Sequence, residues 1–132
     1  MRNTLLLSLL FLGWNCQKEC CEDLIQSDRA WIVDYIETDD GRTDAPHDVT
    51  FRFESDSTFS LKLDLNSCGG SYTINESQQT WEAKNVFCTL ACCDSDFSEQ
   101  AAFLIGHADQ IEVNGKRFIL SRGEERVVFG RE

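Results

Sequence analysis

The sequence has few cations and only one long apolar run, and each shortage excludes a class of protein. Lys and Arg together number 12 against 23 Asp and Glu, for a formal net charge of −11. Because such a surface repels phosphate backbones, nucleic-acid binding is not expected. The apolar run from Leu5 to Trp14 is about half of the roughly 20 residues that a membrane-spanning helix needs, and no second run follows. A stable transmembrane helix is therefore not expected.

Residues 1–15 form a signal-peptide pattern, in which Arg2 is followed by the apolar run. No A-x-A cleavage site is present, and the run is followed instead by Cys16. A cysteine at this place resembles the lipobox of bacterial lipoproteins, whose thiol receives diacylglycerol, although the preceding GWN differs from the usual small residues. We predict that residues 1–15 are a lipoprotein signal peptide and that lipid on Cys16 attaches the protein to a membrane.

The residues after Cys16, QKE, resemble the Lys-acidic signal that sends lipoproteins of some Gram-negative groups to the outer face of the outer membrane. The predicted location is therefore the cell outer membrane, with the lipid-anchored protein exposed at the surface. The alternative is a soluble secreted protein with a spare thiol.

The cysteine count supports the lipid hypothesis. Seven cysteines in an exported chain leave one unpaired, and lipid on Cys16 would account for it. The remaining six can then close three disulfide bonds: Cys20, Cys21, Cys68, Cys88, Cys92 and Cys93. Sequence alone does not choose among the many connectivities of six cysteines. Adjacent cysteines would need strained geometry to bond to each other, so each neighbouring pair is expected to reach elsewhere.

No residue pattern predicts an enzyme, a cofactor or a metal site. The run CTLACC lacks the C-x2-C spacing of zinc knuckles, although His47 or His107 could add a ligand. It also lacks the C-x-x-C of thiol oxidoreductases, and the neighbouring Asp94 disfavours a thiolate. The acidic run from Asp94 to Glu99 lacks the glycine-centred loop of a calcium site, so it is better explained as the start of a helix.

One domain is expected over residues 29–132, after a polar, cysteine-bearing tether at residues 16–28. Its clearest pattern is a hairpin in which apolar and polar residues alternate on both sides of the turn SDS, so that one face is wet. Residues 39–48, DDGRTDAPHD, are predicted as a turn. The inward residues of the hairpin are expected to be Phe51, Phe53, Phe59, Leu61 and Leu63, with Leu65 continuing the alternation.

One segment, DSDFSEQAAFLIGHA, has helical spacing, with Asp96 and Glu99 as an approximate capping pair. Further strands are predicted at RAWIVDYIE, SYTI and TWEAKNVF before this helix and at QIEV, KRFIL and RVVFG after it. The predicted fold class is α+β, a curled antiparallel sheet with one helix packed across it.

The order of these parts resembles the META domain of the HslJ heat-shock lipoproteins over about residues 29–130. The resemblance rests on Trp31 and on three segments: TFRFESDSTFSLKLDLNSCGGSY, TLACCDSDFSEQAAFL and KRFILSRGEERVVF. Two features depart from the family, because Gly69 stands where Asn commonly follows the first cysteine, and Cys88 and Cys93 are extra. The resemblance implies an envelope protein, often a lipoprotein, that is linked to stress tolerance and has no established catalytic residues.

The resemblance also implies a disulfide bond between Cys68 and Cys92, which match the family's cysteine at the bend and its cysteine in Thr-x-x-x-Cys. Cys20 and Cys21 would then pair with Cys88 and Cys93 in one order or the other. Such bonds would hold the tether against the sheet.

The function predicted from these features is that of a non-enzymatic, monomeric envelope lipoprotein with a structural or binding role and an unidentified envelope partner. A secreted ligand- or protein-binding module without lipid is the first alternative, and it predicts an open apolar pocket near Gly69, Gly70 and Trp81. A thiol-redox or zinc-binding protein is the second, and the redox form predicts an exposed free thiol near a base.

Overall fold

The computed structural model describes Ile25 and residues 30–114 and 116–131. The predicted signal peptide, and with it Cys16, lies outside these residues. So does the predicted tether, including Cys20 and Cys21, apart from Ile25.

The described elements are strands except for a single helix between the sixth and seventh strands. They are β1 (Trp31–Thr38), β2 (Gly41–Asp44), β3 (Thr50–Phe53), β4 (Thr58–Lys62), β5 (Ser67–Asn75), β6 (Thr80–Cys88), α1 (Asp96–His107), β7 (Gln110–Asn114), β8 (Arg117–Arg122) and β9 (Glu125–Arg131). The prediction of a mainly antiparallel sheet with one helix is confirmed.

The sheet closes on itself, because β9 returns to pair with β1 along most of its length. On its other side β1 has two partners, with Trp31 and Ile32 opposite β3 and its second half opposite β2. The weakest seam is between β6 and β7, where Thr80 and Gln110 form the one paired position. Closure pairs the strands of the barrel on both sides and leaves β2 as an edge.

Aromatic rings fill the inside of the barrel. Phe118 and Phe129 stack with ring centroids 4.1 Å apart, and Trp31 meets Phe118 edge-on at 4.9 Å. Phe51 touches the same cluster and is fully buried. Large inward side chains on neighbouring strands thus occupy the space that a wider barrel would leave for a ligand.

The inward face predicted for the first hairpin is confirmed, with Phe53 half-buried and the other four side chains buried. Arg52 and Lys62 are exposed, as the alternation requires. Leu65 does not follow it and is 58% exposed, because β4 ends at Lys62 and the chain turns before Leu65.

The prediction of a turn over residues 39–48 is wrong for the part that forms β2. This short strand is exposed on both faces, so it carries no alternation of apolar and polar residues. Gly41 permits the turn that precedes it with a φ of 111°. The Arg42 guanidinium lies 3.7 Å from the centroid of the Tyr35 ring, a contact that holds β2 against β1. Its Nε also donates to Asp44 of the same strand at 2.8 Å.

The helix α1 packs against β6, β8 and β9. Its cap is Ser95, whose backbone is extended and whose hydroxyl accepts the N–H of Ser98 at 3.2 Å. The prediction that Asp96 and Glu99 form the capping pair is therefore wrong, and these two residues supply negative charge in the first turn instead. No helix in the described part of the chain is long and apolar enough to span a membrane.

Candidate functional site

The densest set of polar contacts surrounds the connection from β6 to α1, residues 89–95, which we call the cysteine loop. It carries Cys92 and Cys93, both exposed, and lies against the turn between β4 and β5. Thr89 continues the pairing of β5 with β6: its N–H donates to the Ser67 carbonyl at 3.0 Å, and its hydroxyl accepts the Ser67 N–H at 3.1 Å. The loop therefore leaves the sheet only after Thr89.

Asn66, in the turn between β4 and β5, holds the cysteine loop in place. Its side chain is buried, and the amide nitrogen donates to the Ala91 carbonyl and to the Asp94 carboxylate, both at 2.6 Å. The amide oxygen accepts the Thr89 hydroxyl and the Ala91 N–H, both at 2.8 Å. Every hydrogen-bonding position of this amide is thus used, and removal of the side chain would break all of these bonds between the turn and the loop.

Asp94 strengthens the same junction from the loop side. Its carboxylate accepts the backbone N–H groups of Leu65 at 2.8 Å and of Asn66 at 3.1 Å. In sequence Asp94 is a neighbour of the thiols, whereas in the structure its carboxylate is directed to the turn. Asn66 was missed altogether, because Asn is an ordinary turn residue and nothing local indicates that this one is buried.

The start of α1 joins two further loops through Ser95. The Asp64 carboxylate accepts the Ser95 N–H at 3.0 Å, and His47 Nε2 lies 2.9 Å from the Ser95 hydroxyl and 3.2 Å from that of Ser98. Hydrogen bonds from the Ser98 hydroxyl and then from the Ser95 N–H lower the pKa of Asp64 to about 2. The carboxylate therefore stays charged near the positive end of the helix.

His, Ser and Asp meet here, but not in the arrangement of a catalytic triad. In a triad the carboxylate binds Nδ1 and the nucleophile binds Nε2. In this protein Asp64 and both hydroxyls face Nε2, while the buried Nδ1 of His47 has no hydrogen-bond partner among the described residues. Ser98 is also fully buried, so a substrate cannot reach it. The geometry is that of a helix cap docked onto two loops.

The cysteines pair differently from the prediction. Cys68 on β5 and Cys88 on β6 stand opposite each other with Cα atoms 4.0 Å apart, and their sulfurs are bonded. The predicted bond between Cys68 and Cys92 is therefore wrong, because β6 extends as far as Cys88 and the register places that residue across from Cys68. For the same reason Cys88 cannot serve as a partner of Cys20 or Cys21.

The two cysteines of the loop are bonded to each other, Cys92 to Cys93. The prediction that adjacent cysteines bond to other partners is therefore wrong for this pair. Because Cys93 is bonded to Cys92, its predicted bond to Cys20 or Cys21 is wrong as well. The pair lies between Ala91 and Asp94, the two positions that Asn66 holds.

The residues predicted to form a binding bend are separated by the fold. Gly69 and Gly70 lie within β5 beside a bulge, and a Cβ on Gly70 would come within 3.1 Å of the Phe59 ring and 3.2 Å of the Lys84 carbonyl oxygen. Glycine at this position allows the close approach of these groups. Trp81 lies inside the barrel and is 2% exposed.

Trp81 is held by structural contacts. Its ring stacks on Tyr72 with centroids 5.2 Å apart, and its Nε1 donates to the Ile105 carbonyl of α1 at 3.2 Å. Burial raises the pKa of Tyr72 to about 12, so its hydroxyl stays protonated and donates to the Ser55 carbonyl at 2.6 Å. An open cleft of about 560 Å³ borders Trp81, and the polar residues Asn75, Glu82 and Asp109 contribute to its lining.

The histidines and carboxylates do not form a metal centre in the part of the chain that the structure covers, where no three His, Cys, Asp or Glu side chains converge. His47 belongs to the helix cap. His107 ends α1, where its Nδ1 donates to the Phe103 carbonyl at 2.9 Å and its ring stacks on Phe103.

Large apolar side chains are exposed beside the cysteine loop, and we call Leu65, Val86, Phe87 and Leu90 the apolar rim. Their exposed fractions are 58%, 41%, 72% and 97%, respectively. Leu65 and Leu90 lie on the two loops that Asn66 joins, and the Phe87 ring lies over Gly69, within 3.5 Å of where a Cβ would be. The rim is a candidate contact surface, because grouped apolar side chains commonly mark interaction sites.

Two solved structures share this architecture. An NMR structure of a protein from Burkholderia xenovorans matches with a TM-score of 0.64 at 18% identity, over 84% of this chain and 85% of that one. A crystal structure of a DUF4847 family protein from Bacteroides vulgatus ATCC 8482 matches with a TM-score of 0.63 at 12% identity, over 83% and 96%. At these identities the likeness shows the fold alone. No protein-family model and no curated protein matches the sequence.

Proposed function

We propose that this protein is a non-enzymatic lipoprotein of the cell envelope, anchored through lipid on Cys16, with a META/HslJ-like domain in a structural or binding role in envelope stress tolerance. The observation that carries the proposal is the bond between Cys68 and Cys88 across two paired strands. Disulfide bonds of this kind persist in oxidising compartments and are rare in the cytosol. The bond supports export, which the leader also predicts.

The surroundings of the bond favour a structural role for it. Cys68 is 5% exposed and belongs to the core, whereas Cys88 is exposed, so the bond fixes the exposed end of β6 to the core. A bond from the core to the end of β6 stabilises the base of the cysteine loop and keeps the apolar rim in place.

The proposal of a non-enzymatic role rests on the geometry of the polar groups. The cluster of His47, Asp64 and Ser98 caps a helix, and aromatic rings occupy the barrel interior. Binding is therefore assigned to the outer surface. The alternative of a secreted binding module without lipid shares this surface and differs only in Cys16.

Metabolic labelling with palmitate tests the proposal. Label should enter the wild-type chain and a Cys88→Ala variant, which retains Cys16, but not a Cys16→Ser variant. Membrane fractions should contain the first two proteins. Equal labelling of all three, or none, would reject the lipid anchor. Unlabelled protein in the medium with an intact Cys68–Cys88 bond would establish the secreted alternative.

A further inference from the structure

The apolar rim is exposed to a degree that demands an explanation. Leu90 in the cysteine loop is 97% exposed, and Phe87 near the end of β6 is 72% exposed. The rim is also held rigidly, because Asn66 and Asp94 fix the loop that carries Leu90 and the Cys68–Cys88 bond fixes the strand that carries Phe87. An apolar surface that is already ordered loses little conformational entropy on binding, so it is suited to contact with another apolar phase.

We infer that the apolar rim inserts into the interfacial region of the lipid bilayer to which the chain is anchored. This inference rests on the proposed function, because it takes the bilayer at Cys16 as the occupant. The segment from Cys16 to Ala30 reaches at most about 50 Å even when fully extended. The barrel therefore stays within that distance of the membrane, and this confinement makes the rim's weak contact with lipid effectively intramolecular.

The position at which the tether enters the barrel is compatible with this contact. Ala30 and Ser67 line one surface groove of about 370 Å³, and Ser67 is hydrogen-bonded to Thr89, the residue before Leu90. The tether thus enters beside the strands that lead to the rim.

Charge determines the kind of bilayer surface to which the rim would bind. The chain has a net charge of −11, so anionic headgroups repel it, and the contact with lipid must come from apolar side chains. Binding to zwitterionic phosphatidylcholine should persist at high salt, and binding to anionic vesicles should improve when salt screens the repulsion.

A tryptophan probe tests the contact directly. Lipidated mature chain, residues 16–132, carrying Leu90→Trp is placed in phosphatidylcholine vesicles with and without brominated acyl chains, which quench only nearby rings. The matched control is Gln78→Trp, an exposed position in the turn at the other end of β6. Trp31 and Trp81 are buried, and their emission is the background, which is measured on the wild-type protein. The Leu90→Trp emission should be quenched and the Gln78→Trp emission should not.

A second measurement separates the rim from the anchor. In an unlipidated mature chain, residues 16–132 with Cys16→Ser, the double change Phe87→Ser, Leu90→Ser should weaken phosphatidylcholine binding by roughly tenfold or more, since burial of one large apolar side chain corresponds to about that factor. Both side chains are exposed, so the midpoint of urea unfolding should stay the same and show that the variant folds.

The outcomes distinguish this inference from the proposed function. Palmitate on Cys16 without quenching at Leu90→Trp overturns the insertion and leaves the lipoprotein intact, whereas absence of palmitate overturns the lipoprotein. A blue-shifted Leu90→Trp emission without vesicles, unquenched when they are added, would show that another part of the chain covers the rim. If the protein formed a concentration-dependent dimer and the serine changes abolished it, a second copy of the chain would be what covers the rim. Either result overturns the insertion.

Discussion

The barrel interior and the cysteine loop are held by different forces. Inside the barrel, buried rings such as Phe51, Phe118 and Phe129 pack against one another, and the attraction has no fixed direction and is spread over many contacts. The cysteine loop depends on directed hydrogen bonds that converge on Asn66 and Asp94. A fold can therefore have a core that many apolar sequences would satisfy and a loop whose position depends on a few polar atoms.

The largest effect should come from the interior. Replacement of Phe51 by Ala should lower the free energy of unfolding by about 3–5 kcal/mol, because it removes a fully buried ring and leaves a cavity. Urea denaturation measures this loss. The control is Lys62→Ala on the wet face of the same hairpin, which should cost less than about 0.5 kcal/mol. If Lys62→Ala lowered the free energy of unfolding more than Phe51→Ala, the assignment of the buried face of the hairpin would be wrong.

The second-largest effect on the free energy of unfolding should come from the cysteine pairs, and the two pairs should differ. Replacement of both Cys68 and Cys88 by Ala should cost roughly 3 kcal/mol by the chain-entropy estimate, since the bond joins residues 20 apart in sequence. The same change at Cys92 and Cys93 should cost only about 1 kcal/mol, because a bond between neighbours closes a very short loop. Urea midpoints of oxidised proteins compare the two, and equal losses would contradict the assignment of the first pair to the fold.

The polar junction is expected to rank third. Asn66→Ala should cost about 2 kcal/mol, because Thr89, Ala91 and Asp94 lose their hydrogen bonds to this buried amide. Limited proteolysis should also cut faster within residues 89–95, since the loop is released locally. Asn75→Ala, at the exposed end of β5, is the matched control and should leave this cleavage unchanged. Unaltered proteolysis of the Asn66 variant would mean that other contacts hold the loop.

The smallest effect concerns pH. The folded-state pKa of Asp64 is lowered to about 2, so its charge stabilises the fold above the unfolded-state value of about 4. This contribution is lost as the pH falls from about 4 to about 2. Wild-type protein should therefore lose stability more steeply over this range than Asp64→Asn, when urea midpoints are plotted against pH. Parallel curves for the two proteins would mean that the cap does not depend on the carboxylate charge.

How far the sequence predicted the structure differs between these two regions. Alternation of Phe51, Phe59 and Leu61 with polar neighbours correctly predicted which face of the first hairpin is buried, because each side chain's position follows from the two-residue period of a strand. The same rule could not find β2, which is exposed on both faces. It also extended the alternation to Leu65, beyond the end of β4.

The cysteine loop was predicted least well. A family resemblance paired Cys68 with Cys92, whereas the register of β5 with β6 brings Cys88 across from Cys68. Asn66 and His47 looked like ordinary loop residues, and their partners lie 23 to 51 positions away in sequence. No local pattern encodes such contacts.

By itself the sequence determined that this protein is acidic and that its described part has a mainly antiparallel sheet and one helix, because charge and hydrophobic periodicity are properties of the chain read in order. Only the tertiary structure decided which cysteine meets Cys68, that Trp81 is a core residue, and that Leu65 and Leu90 lie on adjoining loops. These three depend on strand register and barrel closure. Both are set by the simultaneous packing of residues far apart in sequence, which no short stretch of the chain specifies.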